Sequence, residues 1–161
     1  MDKNVAVVFS VTNRCSRCGH WFESDTAERV CPRCAPKIED FIDRDYLRNN
    51  PDDIFVFGDN YLRQGHGGAA ALRDEPNTYG FITKVAPTHR DEDYFRPTEY
   101  VQVYCSEMSR LIDEIRRRPG NTFLISKLGA GIANRYQIFE TIIEPTIHHL
   151  LAPYSNVRFL W

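Results

Sequence analysis

The spacing of apolar positions changes several times along this chain, and each change marks an element. Val5 to Val11 is a short β-branched run and predicts a strand. Ile38, Phe41, Ile42, Tyr46 and Leu47 recur at helical spacing until Asn49-Asn50-Pro51 stops the helix. Ile54–Phe57 reads as a buried strand ending at Gly58, and Gly80–Val85 reads as another. Between them a glycine-rich turn leads to Ala69–Leu72, which can begin a helix. Pro87 to Pro97 is polar and turn-rich and reads as a mobile surface loop.

Thr98 is placed to cap a long helix reaching about Arg118. Its apolar stripe is Val101, Tyr104, Cys105, Met108, Leu111, Ile112 and Ile115, which makes Cys105 a small buried hydrophobe. Arg116, Arg117 and Arg118 complement the negative end of the helix dipole before Pro119-Gly120 ends it. A strand over Thr122–Ser126, a second glycine turn and a helix from about Tyr136 follow. Pro145 kinks or restarts that helix, and Asn156–Trp161 closes the chain as a strand. Strands alternating with helices after residue 38 predict an α/β sandwich with a largely parallel or mixed sheet.

Length and composition narrow the function classes. The 161 residues suit one domain with a small appendage, and 42% apolar content supplies one core. No apolar run approaches the roughly 20 residues needed to cross a bilayer, and the N-terminal segment lacks a secretory pattern. A soluble cytoplasmic protein with no membrane partner is expected. The formal net charge of −2 gives no mandate for a nucleic-acid clamp.

Cys15, Cys18, Cys31 and Cys34 read C-x2-C, twelve residues, C-x2-C. Each C-x2-C turn can present two sulfurs to one point, and two such turns complete a tetrahedral thiolate site suited to structural Zn2+. Residues 19–30 hold only Trp21, Phe22 and Val30 as large apolar groups, so a metal would hold this ribbon together. Two disulfides or a redox pair are the rival uses; a reducing compartment favours metal. His20 is a neighbour rather than a ligand. Five basic residues against three acidic ones between Arg14 and Lys37 leave nucleic-acid contact through the ribbon open without indicating it.

Two glycine clusters sit just past strand ends: Gly58–Ala69 and Lys127–Arg135. In an open α/β sheet, ligands bind outside the carboxyl ends of the strands, where glycine lets main-chain N–H groups approach an anion. Glycines also simply make turns, and that reading stays open for each cluster taken alone. Neither cluster matches the P-loop or the G-x-G-x-x-G dinucleotide pattern.

From Asp52 to Trp161 the chain resembles a macro domain, the ADP-ribose-recognising fold. Asn60–Arg73 (NYLRQGHGGAAALR) is similar to that family's first loop, and Phe123–Arg135 (FLISKLGAGIANR) to its second. Gly80–Lys84 and the ending NVRFLW resemble the branch containing the terminal ADP-ribose glycohydrolases. The resemblance implies a three-layer α/β/α domain with a mixed sheet over residues 1–11 and 38–161, with a four-cysteine zinc ribbon at 12–37 inserted near its start.

It further implies that Gly129, Ala130, Gly131, Ile132 and Ala133 offer amides to two phosphates, with Asn134 beside them. Asn60, Gly65, Gly67 and Gly68 would line a ribose, and Tyr136 would pack on a sugar face or in the core. Were the protein a hydrolase, Asp59 would be the base, Asn60 would orient water, and Lys84 or His66 would stabilise the leaving group. Two departures stand out. No Asp clearly matches the one that binds adenine, and Ala133-Asn134 occupies the place of the second-loop Asp.

The expected ligand is therefore an ADP-ribose-type small molecule or an ADP-ribosylated macromolecule. The alternatives to hydrolysis are a non-catalytic sensor or sequestering protein and a zinc-ribbon protein associated with nucleic acid.

Overall fold

The computed structural model describes residues 10–24, 30–32, 34 and 42–161. The expected strand beginning at Val5, the helical residues Ile38 and Phe41, and the boundary between 37 and 38 lie outside the described residues. Two short strands come first, β1 (Val11–Arg14) and β2 (Trp21–Ser24), paired antiparallel with Arg14 opposite Trp21. Helix α1 (Arg44–Asn49) follows, capped by the Asp43 side chain, which accepts from the Tyr46 N–H at 2.7 Å.

The main sheet contains β3 (Asp53–Asn60), β4 (Thr78–Lys84), β5 (Thr122–Ile125) and β6 (Val157–Phe159) in the order β4-β3-β5-β6. All three pairings among these strands are parallel, so the expected mixed sheet is corrected to a parallel one among the described residues. The physical reason is the connection pattern. Successive strands of this sheet are joined by crossover segments rather than tight hairpins, and only a crossover can return the chain to a parallel neighbour.

Alternation along β3 assigns its two faces. Ile54 and Val56 enter the larger core with Phe81, Phe123, Ile125, α2 (Pro97–Arg117) and the segment 138–151. Phe55 and Phe57 face the smaller core with Leu47, Ala70 and Leu124. Both faces are thus covered, as parallel strands require.

Helix α2 starts two residues earlier than its sequence suggests. Arg96 is the N-cap, Pro97 occupies the first turn, and the Glu99 carboxylate accepts the Arg96 N–H at 3.2 Å. The buried stripe is Tyr100, Tyr104, Met108, Leu111 and Ile115, joined by Glu107. Val101 and Cys105 fall outside it and are exposed, correcting both expectations. Two hydroxyls and a carboxylate fix the stripe's direction toward the sheet edge and the segment behind it. Tyr100 donates to the Ile82 carbonyl at 2.8 Å, Glu107 accepts the Ile82 N–H at 2.9 Å, and Tyr104 bonds the Thr146 hydroxyl at 2.8 Å. The two bonds to Ile82 also satisfy backbone groups on the outer side of edge strand β4.

The segment 87–97 is not the loose surface loop its polarity suggests. Tyr94 and Phe95 are buried, and the Val85 N–H bonds the Asp93 carbonyl. The helix expected from Tyr136 is also interrupted. A short turn over Asn134–Tyr136 ends at Gln137, whose φ of +59° lies in the left-handed region. A π-helical stretch Phe139–Ile143 follows, and after Pro145 the chain restarts as α3 (Ile147–Leu151).

His148 on α3 is buried against Phe159, with ring centroids 4.0 Å apart, and neither ring nitrogen has a partner among the described residues. Burial, with Arg17 nearby and only partly offset by Glu144, lowers its pKa from 6.5 to about 4. Unfolding therefore takes up a proton between those values, and stability present above pH 6.5 is lost as pH falls toward 4. This linkage is worth about 2 kcal/mol between pH 7.5 and 5. Urea unfolding at the two pH values should show that loss, and His148→Phe should remove that share of it.

Candidate functional site

The strand order places the two glycine loops side by side. β4 lies on one side of β3 and β5 on the other, so the chain diverges at the carboxyl ends of β3 and β5 and leaves a crevice there. The first loop leaves β3 at Asn60 and the second leaves β5 at Ile125. A bulge in the β3–β4 pairing, where Asp59 faces Ile82 but Asn60 faces Lys84, turns the end of β4 toward the same crevice. Gly58 stands at the floor, where a Cβ would lie 2.9 Å from the Thr83 hydroxyl.

The cleft between the loops has a volume of about 390 Å3. Of the residues singled out in the sequence, it brings together Asp59, Asn60, Gly65, Gly67, Gly68, Lys84, Gly129, Gly131, Ile132 and Ala133. Sequence reasoning missed Gln64, His89, Ser126 and Lys127, which line the same space. Lys127 and Ser126 directly follow β5 and were legible from that position alone. His89 arrives only because Tyr94 and Phe95 anchor its loop.

In the second loop the amides of Gly129, Gly131, Ile132 and Ala133 donate to no group among the described residues, whereas those of Leu128, Ala130 and Asn134 close local turns. Gly129 has a φ of +75°, and a Cβ there would lie 2.6 Å from Ile143. The loop therefore rests on the helix behind it. Gly131 faces open space.

Four expected ligand residues point elsewhere. His66 is exposed and pairs with Asp74 at 2.9 Å. Ala130 packs against the larger core. The Asn134 carboxamide caps the following turn, accepting the Phe139 N–H at 3.0 Å and donating to Glu140. The Tyr136 hydroxyl donates to Asp91, and Arg96 lies over its ring at 4.3 Å. That hydroxyl, with Arg96 and Arg135 close by, holds the Asp91 carboxyl below its ordinary range. Tyr136 is thus a rim residue that ties the second loop to the segment before α2.

Asp59 is not placed to act as a base. Its carboxylate accepts from Arg73 at 2.6 and 3.0 Å, from Arg63 at 3.1 Å and from the Asn60 N–H at 2.7 Å. Burial alone raises such a carboxyl, but these hydrogen bonds outweigh it and hold Asp59 below the usual range. Asn60 is equally engaged: its side chain donates to the Gln64 carbonyl at 2.8 Å and accepts the Leu62 N–H at 3.1 Å. Both residues shape the loop.

Lys84 is buried with its ammonium 2.6 Å from the Thr88 carbonyl and 4.3 Å from the Tyr94 ring centroid. An ammonium has three N–H donors, so this arrangement fixes its position while leaving charge available to the cleft. Arg135 covers the Tyr94 ring at 4.1 Å, and His89 bonds the Tyr94 hydroxyl at 3.0 Å. A ring held by two cations fastens this wall.

The second cluster is Cys15, Cys18, Cys31 and Cys34, all buried, with their four sulfurs within 4.8 Å of one another. The turn after β1 is closed by Gly19 N–H to Cys15 O and Cys15 N–H to His20 O, both 2.9 Å. Burial raises the Cys15 thiol, but amide hydrogen bonds from Cys31, Cys18 and Arg17 prevail and bring it to about 6. Burial pushes Cys18 and Cys34 up, and at Cys34 repulsion from the Cys31 and Cys18 sulfurs adds to it. Four cysteine sulfurs gathered this closely can hold a metal ion. The cluster docks on the α/β body: Arg17 bonds the Cys34 carbonyl at 2.8 Å and the Trp161 carbonyl at 3.1 Å, and Ala152 packs against it.

A family model matches residues 37–135, which is more than half of the chain and takes in both glycine loops. The chain belongs to this family, described as a family of unknown function, DUF7831. The family match ends before α3 and β6 and excludes the four cysteines. No curated protein and no solved structure matches the chain. Among the described residues, no helix is long and apolar enough to cross a membrane.

Metal analysis of the purified protein should find one equivalent per chain. Cys31→Ser should release it and lower the melting temperature. Amide exchange should then quicken across 11–24 before it does so in β3.

Proposed function

We propose that this DUF7831 chain is a receptor for pyrophosphate-bearing nucleotides of the ADP-ribose type, free or attached to a macromolecule. The observation that carries the reading is that Gly129, Gly131, Ile132 and Ala133, whose amides have no acceptor among the described residues, line one cleft together with Lys84 and a glycine loop. Unpaired N–H groups at a loop leading into a helical turn form a nest for oxyanions, and a neighbouring ammonium supplies long-range attraction. The small residues Gly65, Gly67, Gly68 and Ala69 leave the opposite wall open to a sugar. The resemblance of both loops to macro-domain loops supports the same ligand class.

Receptor is preferred over hydrolase because Asp59 is the one carboxylate among the described cleft residues, and four donors occupy it. The metal of the four-cysteine cluster is zinc in this reading, since four thiolates suit a tetrahedral, redox-inactive ion. It holds the hairpin and fastens it to Trp161. The acidic balance of the chain does not favour nucleic acid as the main partner.

Calorimetry with ADP-ribose should give a one-to-one isotherm. Gly131→Glu, at a position where a Cβ meets no protein atom within 4 Å, should fold normally and lose binding by at least tenfold through like-charge repulsion. Equal affinity in that variant would place the ligand elsewhere. Release of ADP-ribose from a modified protein substrate would instead make the chain a hydrolase.

A further inference from the structure

Arg73 grips the first glycine loop from behind. Its guanidinium donates to Asp59 at 2.6 and 3.0 Å, to the Gly65 carbonyl at 2.9 Å and to the Gln64 carbonyl at 3.1 Å. Its planar face lies over Phe57 at 5.4 Å, and its side chain is only 14% exposed. Arg73 itself does not line the cleft, whereas Gln64, Gly65, Gly67 and Gly68 do.

We infer that Arg73, anchored by Asp59, is a positioning residue that aims first-loop amides at the ligand, which makes the first loop a second donor surface for the anion. The inference rests on the nucleotide-binding reading above and adds the device that sets up the first loop. No peptide bond in the described chain is cis, so each N–H points opposite to the carbonyl of its own peptide unit. Drawing the Gln64 and Gly65 carbonyls onto Arg73 turns the N–H groups of Gly65 and His66 the other way. Neither N–H donates to any group among the described residues.

Glycine makes this possible at Gly65, where φ is +87°. A lysine cannot replace the arginine, because a single ammonium cannot bridge one carboxylate and two carbonyls in one plane. Asp59 thereby serves recognition without touching the ligand. Its four hydrogen bonds keep it charged, and its charge keeps the guanidinium in place.

The test uses the full chain and two variants, Arg73→Lys and Asp59→Asn, read by ADP-ribose calorimetry and by amide hydrogen exchange without ligand. Arg73→Lys should weaken ADP-ribose at least tenfold and speed exchange of the hydrogen-bonded first-loop amides Leu62, Arg63 and Ala70. Exchange over 122–125 and 129–133 should stay as in the unchanged protein, a pattern that general destabilisation would not give. Asp59→Asn should show the same pattern in weaker form, and it decides the matter if Arg73→Lys does not fold. Unchanged exchange at Leu62, Arg63 and Ala70 in the folded variant overturns the inference. So does faster exchange with undiminished affinity, or lost affinity with unchanged exchange, which would mean that Arg73 meets the ligand directly. If the unchanged protein itself fails to bind ADP-ribose, the receptor reading fails, and the exchange data alone then judge the clasp.

Discussion

Parallel pairing is the constraint from which the rest of this molecule follows. A strand joined to a parallel neighbour must be left by a crossover, so β3 cannot be followed by a tight hairpin. With β4 on one side of β3 and β5 on the other, the chain departs in opposite directions from adjacent strand ends. The gap this opens is lined by main chain rather than by a packed layer. Glycines there keep it open, and the buried faces of β3 hold its floor rigid through Val56 and Phe57.

Two sites in the chain bring like groups together, cysteine sulfurs at one and main-chain amides at the other. At the four-cysteine cluster, amide donors bring Cys15 down to about 6 while burial and repulsion push Cys34 up. The group can hold a metal ion. At the cleft, amides with no acceptor among the described residues line the same space as Lys84, which supports the anionic ligand proposed above. The clasp between Asp59 and Arg73 shows the opposite arrangement, a buried charge pair satisfied within the protein. For that reason Asp59 organises the first loop instead of offering a base.

The cysteine module and the cleft are also joined through packing. Arg17 holds the Trp161 carbonyl, the Trp161 indole donates to Glu144 at 3.1 Å, and its ring meets Phe139 edge-on. Ile138 and Ile143, on the same helical stretch, support Gly129 from below. A small core is thereby extended by the hairpin it carries.

The residues alone settled the kind of structure at many points: the four-cysteine spacing, the strands at Ile54–Phe57 and Thr122–Ser126, the long helix, and the two glycine loops. Each of these is a local pattern, set by period, by turn chemistry or by metal-ligand spacing, and so is legible without coordinates. The duties of individual side chains were not. Whether Asp59 is free or clamped depends on Arg73, fourteen positions away, and on Arg63 beside it. The burial of Tyr94 and the arrival of His89 depend on α2, and the exposure of Cys105 depends on which hydroxyls reach the edge of β4. Local preference decides what a segment becomes, whereas the freedom of a polar group depends on its neighbours in space, and only the folded chain supplies those.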